Sequence, residues 1–234
     1  MRKLVLTALV AALAAPAGAS IVYSNNFDAE NGGNSALNYN GFNGLTVSNG
    51  TVDLVRSGDF GITCPGGTGS CVDLDGSTFD AGLVSSNSYA FNAGDHVALS
   101  LLFSGNQRNA PPPDSFSMSF NFGAPVSGQF GYMSSTLGSS IANFTNLTSL
   151  TLTVSNIQSN FAFADLTFFF DPTNAGSTIF GLQDGGNDDI GVVIDNLVLS
   201  VGAVPEPSTW AMMIAGFGLA GLATRRRHRI VASA

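Results

Sequence analysis

The central part of this 234-residue sequence predicts an all-β fold, a jelly-roll β-sandwich. Three observations carry that expectation. Apolar residues alternate with Ser, Thr and Asn in several stretches, the period of strands with one buried face. Clusters of Gly, Asn, Asp and Pro separate these stretches, and such residues form turns. No segment between the two ends of the chain has a helical period. Many short strands within one domain's length suit two packed antiparallel sheets.

In chain order, strands are expected at 21–27, 51–56, 71–74, 97–104, 115–122, 150–155, 161–170 and 191–200. The clearest is 115–122, where Phe116, Met118, Phe120 and Phe122 alternate with Ser115, Ser117, Ser119 and Asn121. Leu150, Leu152 and Val154 alternate with Thr151, Thr153 and Ser155. Val97, Leu99, Leu101 and Phe103 form a third such face. Pro111-Pro112-Pro113 reads as a loop between two strands, since proline cannot donate to a ladder.

Composition narrows the function. Only 10% of residues are charged, against about a quarter in ordinary soluble domains. Residues 20–204 hold fifteen acidic and two basic side chains, a net charge of −13. That field excludes a nucleic-acid binder, which needs a basic surface. It leaves a solubilising surface without a specific partner, a repulsion of anionic lipid, or an attraction for divalent cations.

The remaining basic residues mark the two ends. Arg2 and Lys3 precede an apolar run from Leu4 to Ala15, then Pro16 and Ala17-Gly18-Ala19. Basic start, short apolar run and small residues are the parts of a secretory signal. Residues 1–19 are therefore expected to be removed before Ser20. The run is short for a permanent span, which needs about 20 apolar residues. Export reaches an oxidising compartment, so Cys64 and Cys71 are expected to form a disulfide across their Gly-rich loop.

At the other end, Pro205-Glu206-Pro207 precedes Trp210 and an apolar run of 14 residues to Ala223. Arg225, Arg226, Arg227 and Arg229 follow. The prolines keep the first part extended. The apolar run reads as a transmembrane helix, and the Arg cluster would stay cytoplasmic by the positive-inside rule. A helix packed on the domain is the competing reading, but it gives the Arg cluster no purpose. Gly216, Gly218 and Gly221 would also weaken a soluble helix.

Residues 204–229 resemble the PEP-CTERM sorting signal in its Pro-Glu-Pro-x-x-Trp-Ala form. The resemblance rests on Pro205-Glu206-Pro207, Trp210-Ala211 and Arg225-Arg226-Arg227 in that order. It implies an exosortase, a membrane-embedded processing enzyme, as partner. It also implies export across the inner membrane, transient residence there through the tail, and a final place in the cell envelope or outside it. The resulting organisation is a signal peptide at 1–19, a β-sandwich at 20–203 and a sorting signal at 204–229.

The domain in turn is similar to jelly rolls of the carbohydrate-binding-module type. Val22 to Asp28 resembles their opening strand, and Gly191 to Leu199 their closing strand. Val72 to Ser77 and Leu101 to Asn106 are similar to landmarks between them. That resemblance implies a structural calcium where the first and last strands meet, with Asp28 and Asp195 as side-chain ligands. The alternative is that Asp195 caps a turn and Asp28 is merely exposed. An exopolysaccharide is the implied ligand class, and Tyr39, in an Asn/Gly-rich loop, is the candidate sugar platform or a simple anchor.

Catalysis has little to stand on. His96 is the one histidine before the tail, and it is expected on a surface strand. The pairs Asp73/Asp75 and Asp188/Asp189 could serve a glycosidase, but in Gly-rich loops they read as turn formers or metal ligands. Three functions therefore stand, in order: a non-catalytic envelope or matrix protein, a glycan-binding module, and a hydrolase.

Overall fold

The computed structural model describes residues 18–108, 113–186 and 188–203. The predicted signal segment up to Ala17 lies outside these residues. So does the predicted sorting signal, with Pro205, Glu206, Pro207, Trp210, Arg225, Arg226 and Arg227. Among the described residues no helix is long and apolar enough to cross a membrane.

Among the described residues the domain has twelve strands: β1 (Ser20–Asn25), β2 (Leu45–Ser48), β3 (Asp53–Arg56), β4 (Ser70–Asp73), β5 (Leu83–Ser86) and β6 (Tyr89–Phe91), then β7 (Asp95–Ser104), β8 (Asp114–Ser134), β9 (Gly138–Ile157), β10 (Ala164–Pro172), β11 (Gly176–Asp184) and β12 (Val193–Ala203). Only three short 3₁₀ turns interrupt them among the described residues. The strand order is β2-β5-β11-β8-β10-β7-β12-β4-β3, with β1 on β12, β6 on β11 and β9 on β8. The fold is the all-β sandwich that the alternation predicts.

β8 joins the two layers. Its first half, Phe116 to Phe122, pairs with β11, and its second half, Gly128 to Met133, pairs with β10. Between them the register with β9 shifts, at Asn121/Val126 and Val126/Gly128. Pro125 sits in this break, where a missing N–H does no harm. Gly128 has φ +159°, and a Cβ there would meet the Asp171 carbonyl, so the crossing needs glycine. A strand that bends in this way carries one continuous, curled sheet from one layer to the other.

Alternation then fills the space between the layers. Phe116, Met118 and Phe120 of β8 are buried with Leu99 and Phe103 of β7, Phe168 and Phe170 of β10, and Phe180 of β11. Phe120 stacks on Phe168 at 5.1 Å and meets Phe170 edge-on at 4.8 Å. Each such ring contributes roughly 2–3 kcal/mol through the apolar area it takes from water.

A second, smaller core surrounds the Cys64–Cys71 disulfide, which forms as expected. Val55, Ile62 and Val193 pack on it. Closing so short a loop removes chain entropy worth about 2 kcal/mol.

Several boundaries depart from expectation. The segment 161–163 is not strand; β10 begins at Ala164. The turn before it holds Phe161, whose ring stacks on Phe103 at 5.3 Å, so an apolar residue serves a loop. The 150–155 segment is one part of the much longer β9, and β11 had not been expected. Phe27 leaves β1 with φ +59° and turns inward to pack on Phe42.

Candidate functional site

One end of the sandwich collects buried carboxylates. β4 ends at Asp73 and continues to Asp75, β8 starts at Asp114, β11 ends at Asp184, and Asp188 and Asp189 follow before β12. Strand pairing brings these ends together. Asp73 lies opposite Val193, and Asp184 lies opposite Phe116. Gly185 N donates to the Ser115 carbonyl at 2.8 Å. Asp73, Asp75, Asp114 and Asp184 are all buried.

Their partners differ. Asp73 takes the positive charge: Arg108 Nη2 donates to its Oδ2 at 2.9 Å, while Nη1 donates to the Asp189 carbonyl at 3.0 Å. Gly191 N also donates to Asp73 Oδ1 at 2.9 Å. Burial still holds the Asp73 pKa well above the usual range, with Arg108 opposing the shift. Asp184 accepts from Gly186 N at 2.6 Å and Val192 N at 2.9 Å. Asp114 accepts from Asn106 Nδ2 at 3.0 Å. Asp75 Oδ2 accepts from Asp188 N at 3.0 Å. Asp75 Oδ1 and Asp188 Oδ1 are buried without a hydrogen-bond partner.

Burial, aided by neighbouring carboxylates, pushes Asp184 up to about 7 and Asp114 to about 6. Asp75 is shifted the same way for the same reason. Negative charge is thus concentrated where water cannot reach it, which is costly without a counter-ion or a proton.

The other predicted site residues lie elsewhere. Asp28 follows β1 and Asp195 lies on β12: burial first, and the Asp28 charge as the smallest cause, push Asp195 up to about 6. Asp28 is exposed and has both oxygens engaged, Oδ1 by Ser70 N at 2.9 Å and Oδ2 by Asn26 Nδ2 at 2.7 Å. Asp195 Oδ1 accepts from Asn196 N at 2.6 Å. A cation at this pair would compete with those donors.

Tyr39 is no open platform. Its ring stands edge-on to Phe42 at 4.7 Å, and its hydroxyl donates to Glu30 Oε2 at 3.4 Å, the contacts of an anchor. His96 is half-buried, hydrogen-bonded to Asp171 Oδ1 at 2.5 Å and tilted against Phe169. A polar hollow of about 320 Å³ lies along β1 and β12, lined by Ser24, Asn25, Asn26, Asn196, Leu197 and Val198.

Sequence reasoning singled out Asp73/Asp75 and Asp188/Asp189 as adjacent pairs. The structure instead joins one member of each, Asp75 and Asp188, with Asp184 and Asp114. Those two stand at the end of β11 and the start of β8, and the signal that marks them is their neighbours: Asp184 stands directly before Gly185-Gly186, and Asp114 directly after the proline run.

No curated protein sequence matches the chain significantly. Among solved structures, it is similar to the family 22 carbohydrate-binding module and xylanase modules of Clostridium thermocellum xylanase 10B, complexed with xylohexaose. There the identity is 12% and the TM-score 0.43, over 77% of this chain and 28% of that one. A C-terminal family 22 module of the same enzyme shares 16% identity over 80% of this chain and 96% of its own, with TM-score 0.36. The xylan-binding module of Paenibacillus barcinonensis Xyn10C shares 8% identity over 82% of this chain and 99% of its own, with TM-score 0.29. Residues 203–227 match the family model described as the PEP-CTERM protein-sorting motif, and the chain carries that motif.

Proposed function

We propose that this chain is an exported envelope or extracellular-matrix protein whose tail is processed by an exosortase-type membrane enzyme. Its β-sandwich then acts outside the inner membrane without catalysis. The observation that carries this reading is the sorting motif at residues 203–227. The order of its parts supports it physically: a proline-held site, an apolar run shorter than the roughly 20 residues of a permanent span, and an Arg stop. Deleting residues 204–234 is expected to release the protein from its normal envelope fraction; unchanged fractionation would refute the sorting role.

A glycan-binding role is the second reading. The polar hollow beside Asn25, Asn26 and Asn196 favours it, because amides and hydroxyls in a recess of about 320 Å³ suit sugar hydroxyls. On this reading the immobilised protein retains purified exopolysaccharide, and Asn196→Ala weakens retention. No retention by the wild-type chain would remove it.

A further inference from the structure

We propose that two copies of this chain associate edge to edge, through antiparallel pairing of residues 149–155 of β9 with the same segment of a second copy.

The first observation is topological. Among the described residues β9 pairs with β8 alone, so the backbone N–H and C=O groups along its other side have no strand to bond. β1, β2, β3 and β6 also pair with one strand each, but they have only six, four, four and three residues. β9 has 20. Proteins guard such edges with short strands, prolines or charges, above all lysine. β9 contains no proline and no charged residue.

The second observation is electrostatic. Residues 115–164 contain no Asp, Glu, Lys, Arg or His, in a domain of net charge −13. All of β9, and all of β8 after Asp114, lie in this stretch. Two copies with the same negative charge repel each other, and along this edge they meet with no carboxylates opposed. A basic partner would be drawn instead to the acidic parts of the domain. The neutral strip therefore favours a second copy over a cationic partner.

The segment itself is self-complementary. It reads Ser-Leu-Thr-Leu-Thr-Val-Ser, and its register with β8 is unbroken from Ser149 to Val154. Asn146 and Asn156, at φ +56° and +61°, bound it on either side. Short segments of high β-propensity without charge or proline are the ones that pair with their own kind. Ser149, Thr151, Thr153 and Ser155 are exposed on one face. On the other, Leu150 and Val154 are buried while Leu152 between them is only half-buried. A twofold axis at Leu152 sets that side chain beside its own copy and lines hydroxyls against hydroxyls. Such pairing uses each edge once, so it closes as a dimer and does not grow into a fibre.

The test uses the mature protein purified from the cell envelope. Light scattering after size exclusion should show a dimer whose fraction rises with protein concentration. It should also rise with salt, which screens the repulsion between two acidic copies. Hydrogen exchange should show the amides of residues 149–155 gaining protection as the dimer forms. Thr151→Asp sets two carboxylates near the axis and should weaken association at least about tenfold. Thr151→Lys carries the same test if Thr151→Asp fails to fold by circular dichroism. Thr46→Asp, the same change at an exposed position of the short edge strand β2, should leave association intact. The proposal is overturned by a monomer at every concentration, or by a dimer that folded Thr151 variants leave unchanged. Equal protection of residues 149–155 in the monomer would also overturn it, because another segment of the chain would then cover the edge.

Discussion

Phe120→Ala is expected to destabilise the domain by about 4 kcal/mol. Phe120 is fully buried on β8, in the first half of the strand that links the two layers. Its ring meets Phe168 and Phe170 of β10, and its backbone pairs with Phe180 of β11. Truncation removes the ring's transfer free energy and leaves a cavity among rigid aromatic neighbours, which cannot collapse to fill it. For a domain of this length, the corresponding fall in Tm is roughly 8–15 °C. Guanidinium unfolding of wild type and variant measures it. A loss below about 1 kcal/mol would mean that the ring is not a core contact.

The second large effect concerns location and leaves the fold alone. Without residues 204–234 the chain should lose its normal envelope location entirely, while its Tm changes by less than about 1 °C, as for a change outside the packed core. The reason is that β12 ends at Ala203, and its Leu197 and Leu199 belong to the buried core of the described residues. If the shortened chain unfolds or aggregates, the apolar run from Trp210 belongs to the core, and the sorting reading loses its physical basis.

Alternation made the strands that carry one buried face legible. β7 and the first half of β8 appear in the sequence nearly as they stand in the structure. The second half of β8 did not, because Pro125, Gly128 and Gly131 read as turn residues. They are there because the strand bends between layers and passes close to other backbone: a Cβ on Gly131 would meet the Ser140 carbonyl and Phe169. β11 was hidden for a similar reason. Gly176 and Gly181 break its pattern, yet a Cβ at either would press on Phe91 or Ser119.

The carboxylate cluster was only half legible. Asp75 and Asp188 drew notice for their adjacent acids, but 113 positions separate them, and only sheet topology brings Asp188 N onto Asp75 Oδ2. Asp184 gave no sign of burial, since a strand-end aspartate before two glycines reads as a turn. The disulfide was legible because its two cysteines sit seven positions apart in a chain whose first residues read as an export signal.

Mass spectrometry of the protein recovered from the cell envelope tests the central claim most directly. The account predicts a chain that begins at Ser20 and has lost the apolar run and the Arg cluster, with its new end near Pro205-Glu206-Pro207. A mature chain that still carries Trp210 through Arg229 would contradict it.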